Sequence, residues 1–329
     1  MRQHHALFAN FILRFGKKEL IDYAETILIP ALTDDTRVRT YGTRTSYRIY
    51  KGRVVRLDKD GSNPTIALIG QFIKETELVR YQVFKRGEGA VADEAALASA
   101  PSAFFVLILN SHRLIYFPET PDAPDLRAFK ATIKRFVSDR HREYIDEIHT
   151  IRKDSREPVT KTALREEHEV PTLEIIPLTG KEGISAFVNQ FSVLKTIEFR
   201  IVKPNAELEG HEVFRQLREI SDGLKSSDTR LRTSNPDGLD KTKSKKTINE
   251  ATEQGNQEVT LHGVDQEGNK LNGNNEEFKI SAPVSKVPVA KLTLAKKLFG
   301  IFTGLVAKGI IKVPPQTAKV TNIIEGMAE

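Results

Sequence analysis

FFVLILNSHRLIYF, residues Phe104–Phe117, decides the fold. Two apolar runs, Phe104–Asn110 and Leu114–Phe117, are broken by the turn signal Asn110-Ser111, so they read as adjacent strands. Downstream, from Asp125 to about Ile151, Leu126, Phe129, Ile133, Phe136, Val137, Tyr144, Ile145 and Ile148 recur at helical spacing and predict a long helix with one core-facing stripe. Upstream, His5–Phe15, Thr43–Tyr50, Arg53–Leu57, Ile66–Ile73 and Leu78–Phe84 read as strands. They are separated by turn signals at Lys51-Gly52, Asp60–Pro64 and Gly87-Glu88-Gly89, and Lys17–Leu32 reads as a helix. Short strands at this spacing predict a curled antiparallel sheet or partial barrel, and the fold class is α+β.

The charged stretch Arg152–Val170 loses apolar periodicity, which places a domain boundary there. Three regions follow: a strand-rich basic domain over 1–155, a smaller α/β domain over 170–282, and a lysine-rich helix and tail over 283–329. The second region alternates Leu173–Leu178 strand, Lys181–Gln190 helix, Leu194–Val202 strand and His211–Leu224 helix. A helix near Ser244–Glu253 and strands Glu258–Gly263 and Leu271–Ile280 complete it, with Asn235–Lys246 as a solvated loop. Pro283–Pro288 reads as a spacer, Val289–Lys312 as a helix stopped by Pro314-Pro315, and the remaining tail as partly extended.

The chain has no cysteine, which removes disulfides, thiolate zinc sites and cysteine nucleophiles. Its start carries no signal-peptide pattern, and no window approaches the roughly 18 to 20 apolar residues of a spanning helix. A cytoplasmic protein is expected.

Charge is the main functional clue. The net charge is +6, yet eight lysines, Lys279, Lys286, Lys291, Lys296, Lys297, Lys308, Lys312 and Lys319, lie between Glu277 and Glu325 with no acid among them, so residues 1–277 sum to zero. A positive field confined to one element steers it toward an anionic partner. Within the predicted terminal helix, Leu294, Leu298, Ile301, Phe302, Leu305, Val306 and Ile310 form an apolar stripe flanked by lysines. The stripe can dock on the second domain's sheet or lie on an anionic membrane. The favoured reading docks it and leaves Lys291, Lys296, Lys297, Lys308 and Lys312 to touch phosphate. Gly300 and Gly304 make a small-xxx-small pair.

A second basic window is Arg37–Arg56, where Arg37, Arg39, Arg44, Arg48, Lys51, Arg53 and Arg56 occur without an acid and are interleaved with Tyr41, Tyr47 and Tyr50. Arginine grips phosphate bidentately and tyrosine stacks on unpaired bases, which suits a nucleic-acid face. A solvent-exposed hairpin is the alternative. In a strand, Tyr47 and Ile49 point away from Arg48 and Tyr50, so these residues cannot all meet one ligand.

Catalytic patterns are weak. His141 and His149 are eight residues apart, where four would place two ligands on successive turns, and His141 falls on the apolar stripe as a buried histidine would. Thr179-Gly180-Lys181 lacks the upstream glycine and the Ser/Thr of a phosphate loop. Asp58-Lys59-Asp60-Gly61 begins like a calcium loop without its closing glutamate. Glu198-Phe199-Arg200 approaches a metal-nuclease Glu-x-Lys with Arg in place of Lys. No catalytic residue, metal or cofactor is assigned.

The Phe104–Phe117 strand pair leading into the Asp125–Ile151 helix, with the late Val259–Ile280 hairpin, resembles the RexA-type phage-exclusion proteins of prophages. The resemblance implies a cytoplasmic bacterial DNA-binding sensor in phage defence, acting with a separate effector protein. The expected function is therefore non-enzymatic nucleic-acid binding, DNA favoured over RNA, by a homodimer. The alternatives are an effector using its cationic helix on a membrane or protein, and a metal-dependent nuclease.

Overall fold

The chain enters the fold on β1 (His4–Phe15), whose last eight residues are all buried because it runs through the middle of a ten-stranded sheet. The structure is a computed structural model that describes residues 4–58, 64–155, 159–203 and 212–328. Most of the turn predicted at Asp60–Pro64, and of the calcium-loop candidate, lies outside these residues. After the short return β2 (Lys18–Glu19), the predicted Lys17–Leu32 helix forms with a changing pitch. It is a 3-10 turn over Leu20–Tyr23, a π turn over Ala24–Leu28 and then α1 (Ile29–Thr33). Leu20, Ile21, Tyr23, Ala24, Ile27, Leu28, Ala31 and Leu32 are all buried, more than one regular helical stripe would hold.

An antiparallel series follows: β3 (Val38–Tyr41), β4 (Thr45–Arg56), β5 (Ile66–Lys85), β6 (Gly89–Ser99), β7 (Ser102–Ile108) and β8 (Arg113–Pro118). Strands predicted separately merge, since Thr43–Tyr50 and Arg53–Leu57 form one bulged strand and Ile66–Ile73 and Leu78–Phe84 form one of 20 residues. The Ala-rich β6 has little strand propensity and owes its state to pairing with the outer half of β5. Next come α2 (Leu126–Asp154), capped by Asp125 accepting from the Ala128 N–H at 2.7 Å, and α3 (Lys161–Glu167). β9 (Pro171–Pro177), beyond the boundary read from sequence, pairs with β1 from Phe15 opposite Pro171 to Ala9 opposite Pro177 and so lies in the first sheet.

A second, four-stranded sheet is ordered β11-β10-β12-β13. It is built from α4 (Lys181–Gln190), β10 (Phe191–Ile201), α5 (Glu212–Gly223), β11 (Arg230–Ser234), α6 (Lys241–Thr252), β12 (Gln257–Asp265) and β13 (Lys270–Asn274). α6 starts within the loop predicted over Asn235–Lys246, because Asp240 caps it by accepting from the Lys243 N–H at 2.9 Å. The strand predicted to Ile280 stops at Asn274, where Asn275 turns inward and binds β12 through the Val259 N–H and the Gln257 carbonyl. The chain then returns to β1 as β14 (Ser281–Val284), part of which was read as spacer. It ends in α7 (Lys291–Ala307) and α8 (Ala318–Ala328), so the tail expected to be partly extended is helical from Ala318 on, with Val320 and Ile324 buried in the first core.

Phe104–Leu109 does not alternate with polar residues because both faces of its sheet are covered. Phe105, Leu107 and Leu109 meet α2, α1 and α8 in one core, whereas Phe104, Val106 and Ile108 meet Leu294, Ala295, Leu298 and Phe302 of α7 in the other. The terminal helix therefore docks on the first sheet, not on the second. Gly300 and Gly304 have open space around them, so the small-xxx-small pair makes no close helix contact.

The turn between β7 and β8 is polar yet buried: Asn110, Ser111, His112 and Arg113 are all at most 5% exposed. Asn110 accepts from the Ile66 N–H at 2.9 Å and donates to the Pro64 carbonyl, and the His112 carbonyl accepts from the Phe11 N–H. Arg113 donates to the Gln254 carbonyl and Oε1 at 3.0 and 2.8 Å and to the Lys312 carbonyl at 3.1 Å. One side chain thus ties the first sheet to the end of α6 and to the segment after α7. Nearby, Asn10 donates to the Gly255 carbonyl, and a Cβ on Gly255 would lie 2.8 Å from that of Asn10.

The bulge in β4 preserves the two faces. Tyr50 pairs with Gln71 and Arg53 with Ile69, so one extra residue is absorbed at Lys51-Gly52, where Lys51 takes φ 52°. Gly52 presses against α1, and a Cβ there would lie 1.9 Å from the Leu32 carbonyl oxygen. Backbone would have to move, so Gly52→Ala is expected to cost about 2–3 kcal/mol, read as a lowered urea midpoint at unchanged slope.

Candidate nucleic-acid interface

Strand register sorts the Arg37–Arg56 window onto two faces. Tyr47 pairs with Lys74 and Ile49 with Phe72, on the α2 side, whereas Ser46, Arg48, Tyr50 and, past the bulge, Arg53 and Val55 pair with Glu75, Ile73, Gln71, Ile69 and Ala67 on the α7 side.

The α2-side residues are committed internally. Tyr47 is 9% exposed and stacked on Phe72, which withdraws it from any ligand and corrects its assignment as a binding residue. Arg37 donates to both carboxylate oxygens of Glu143 at 2.9 and 2.6 Å and pairs with Asp34, and the Glu143 bond holds its pKa above the usual value. Arg39 donates to the Thr132 hydroxyl and lies over the rings of Tyr41 and Tyr47. Arg56 pairs with Asp58 at 2.9 Å. These side chains fasten the β3–β4 hairpin to the body; Arg37 and Arg39 hold it to α2.

On the α7 side, Arg48 reaches Glu75 at 2.9 Å, Lys51 sits over the Tyr50 ring, and Tyr50 and Arg53 are exposed. Arg44, at the hairpin tip, donates to the Tyr81 hydroxyl, which raises its pKa. Among the described residues no carboxylate lies within ion-pair distance of Lys51 or Arg53.

α7 lies on this same side. Its Leu294, Ala295, Leu298 and Phe302 are buried against the sheet, so its lysines project around the rim. Lys291 pairs with Glu119, which also accepts from Gln71 and Ser102, and Lys297 donates to the Ser285 and Lys286 carbonyls. Lys312 pairs with Glu253. Those three are partly neutralised or engaged in the docking of the helix. Lys296, on the outer face, and Lys308, capping the helix end, are exposed and have no ion pair among the described residues.

The other candidates resolve simply. His141 is buried, and its Nε2 lies 2.7 Å from the His168 carbonyl, which accepts from it. Thr179 is buried and bonded to Thr252, and Gly180 opens α4 beside a cleft of about 470 Å³ shared with Lys279, Glu253 and Lys312. Glu198 pairs with Arg230 at 2.7 Å. Arg200 binds Glu174 at 2.9 Å and Glu258 at 2.7 Å, and with Lys130 beside both carboxylates this network joins α2 and β9 to the second sheet. Against the cost of burial, Arg200 and Lys130 hold the Glu174 carboxyl below its usual range. The Glu-x-Arg pattern is thus a structural tie, and among the described residues no three His, Asp or Glu side chains could hold a metal ion.

One cationic element is absent from the charge reading. Lys241, Lys243, Lys245 and Lys246 fill the first half of α6, where the helix dipole already disfavours cations. The repeated lysines over 241–246 were the available signal, hidden because acids elsewhere bring residues 1–277 to neutrality. No helix among the described residues is long and apolar enough to cross a membrane. No family model, curated protein or solved structure matches this chain.

Proposed function

We propose that this chain binds nucleic acid, DNA in preference to RNA, on the α7 side of its first sheet, without catalysis. The observation that carries this is that part of each of two cationic windows, more than two hundred positions apart in sequence, lies on one side of one sheet. Arg48, Lys51 and Arg53 come from β4 and its bulge, Lys296 comes from α7 and Lys308 from its C-terminal cap. Tyr50 supplies a stacking surface between the β4 cations. A bilayer would need the apolar stripe of α7, but its Leu294, Leu298 and Phe302 are already buried in the core that holds Phe104, Val106 and Phe117, which weighs against the membrane reading. In keeping with the resemblance to RexA-type proteins, the binding serves a cytoplasmic phage-defence sensor that signals to a separate effector.

The test is a titration of duplex DNA, single-stranded DNA and RNA at two salt concentrations with full-length protein. Arg53→Glu and Lys296→Glu, both on exposed side chains, are each expected to weaken binding about tenfold at low salt without lowering the unfolding midpoint. Arg37→Ala should lower stability and leave binding by the folded protein unchanged. Equal binding by all four proteins would remove this surface from the reading.

A further inference from the structure

β5 outruns the sheet that supports it. Its pairing with β4 ends at Thr45 opposite Thr76, and from Glu77 to Lys85 only β6 pairs with it, so the backbone edge that β4 occupied is open among the described residues, with the Arg44 side chain reaching the Tyr81 hydroxyl. The result is a two-stranded arm, and such ribbons have little stability alone. The arm is also apolar on both surfaces: Leu78, Tyr81, Phe84 and Leu97 are more than half exposed, Phe84 at 80%. Open strand edges are normally guarded by lysine, proline or a bulge; LVRYQVF (Leu78–Phe84) carries only Arg80 in that role, and the irregularity between Arg80 and Gln82 places its extra residue on β6, away from the open edge.

We propose that this edge is a homodimer interface, in which β5 of two copies pair antiparallel about a two-fold axis at Tyr81 to give a continuous four-stranded sheet, β6-β5-β5-β6. The sequence of the edge selects both the occupant and the register. With Tyr81 opposite Tyr81 of the second copy, Glu77 falls opposite Lys85 at both ends, Leu78 opposite Phe84, Val79 opposite Val83 and Arg80 opposite Gln82. Every charge at the ends then meets its opposite, and every large apolar residue meets another. A slip of two residues in one direction places Arg80 on its own copy, and in the other it leaves Glu77 without Lys85. Glu77, Arg80, Lys85, Arg86, Glu88, Asp93 and Glu94 bring the arm close to neutrality, so it offers no field to a phosphate backbone or an acidic lipid surface. A self-complementary strand on a two-fold axis is what an isologous contact requires.

The natural absence of cysteine makes the test direct. In Tyr81→Cys the two introduced thiols would sit on directly opposed residues, with Cα atoms about 4.5–5.5 Å apart, within disulfide reach. Mild oxidation is expected to convert the protein almost completely to a covalent dimer. Ala95→Cys, on β6 and separated from its counterpart by both β5 strands, should stay uncrosslinked. By light scattering the full chain should be dimeric, Glu77→Lys monomeric, and Glu77→Lys with Lys85→Glu dimeric again. A monomeric wild type at tens of micromolar would overturn the proposal. So would a dimer that Tyr81→Cys does not trap, or one indifferent to Glu77→Lys, since it would form through another surface.

Discussion

Arg113→Ala is expected to cost about 3–5 kcal/mol of folding stability, the largest loss for any single polar side chain in the molecule. The guanidinium is 1% exposed and makes charge-assisted bonds to two carbonyls and an amide oxygen. Truncation removes these donors and leaves their acceptors in a site that water reaches poorly, so the cost exceeds that of a surface arginine by several-fold. Because the acceptors belong to Gln254 and Lys312, the loss should also be local before it is global. Hydrogen exchange should show early opening at the end of α6 and in the segment after α7, while the centre of β7 stays protected. Arg113→Lys keeps the charge but cannot fork between both partners, and an intermediate loss is expected. A change below 1 kcal/mol for the alanine variant would show that the turn is held by other contacts.

Acid should destabilise the protein well above the pH at which its carboxylates titrate. Burial first, and the neighbouring Arg113 charge second, push His112 down to about 4 in the fold, against an ordinary value near 6.5. Between those values the unfolded chain takes up a proton that the folded chain refuses, so stability is complete above 6.5 and falls as pH drops toward 4. At pH 4.5 the loss from this group is about 2.5 kcal/mol. His141 and His168, also lowered chiefly by burial, add in the same direction. Urea unfolding at pH 7 and 4.5 measures the difference. His112→Asn, which tolerates the φ of 54° at this position, should remove most of His112's share, whereas an unchanged pH dependence would assign the effect elsewhere.

Much of the architecture was legible because its signals are local. The α2 stripe, the Phe104–Phe117 strand pair and the helical spacing of Leu294, Leu298 and Phe302 each follow from burial on a fixed period. What was not legible depends on distant partners. β6 is a strand because β5 lies beside it, and β9 and β14 join the first sheet because β1 offers them an edge. The Asn110-Ser111 turn looks like a surface turn until Gln254 and Lys312 cover it. The candidate site divides the same way: composition located both cationic windows, but only the register of β4 separates Arg53 and Tyr50 from Tyr47. From sequence the exposed apolar arm is an ordinary strand and turn, since no pattern there shows that pairing with β4 ends at Thr45, opposite Thr76.

The most direct test of the proposed function is the dependence of duplex DNA affinity on salt, comparing full-length protein with the Arg53→Glu, Lys296→Glu double variant. If both side chains contact phosphate, the slope of log affinity against log salt should fall by about two, with no change in the unfolding midpoint. Equal slopes for the two proteins, or no binding by the wild type at low salt, would contradict the account.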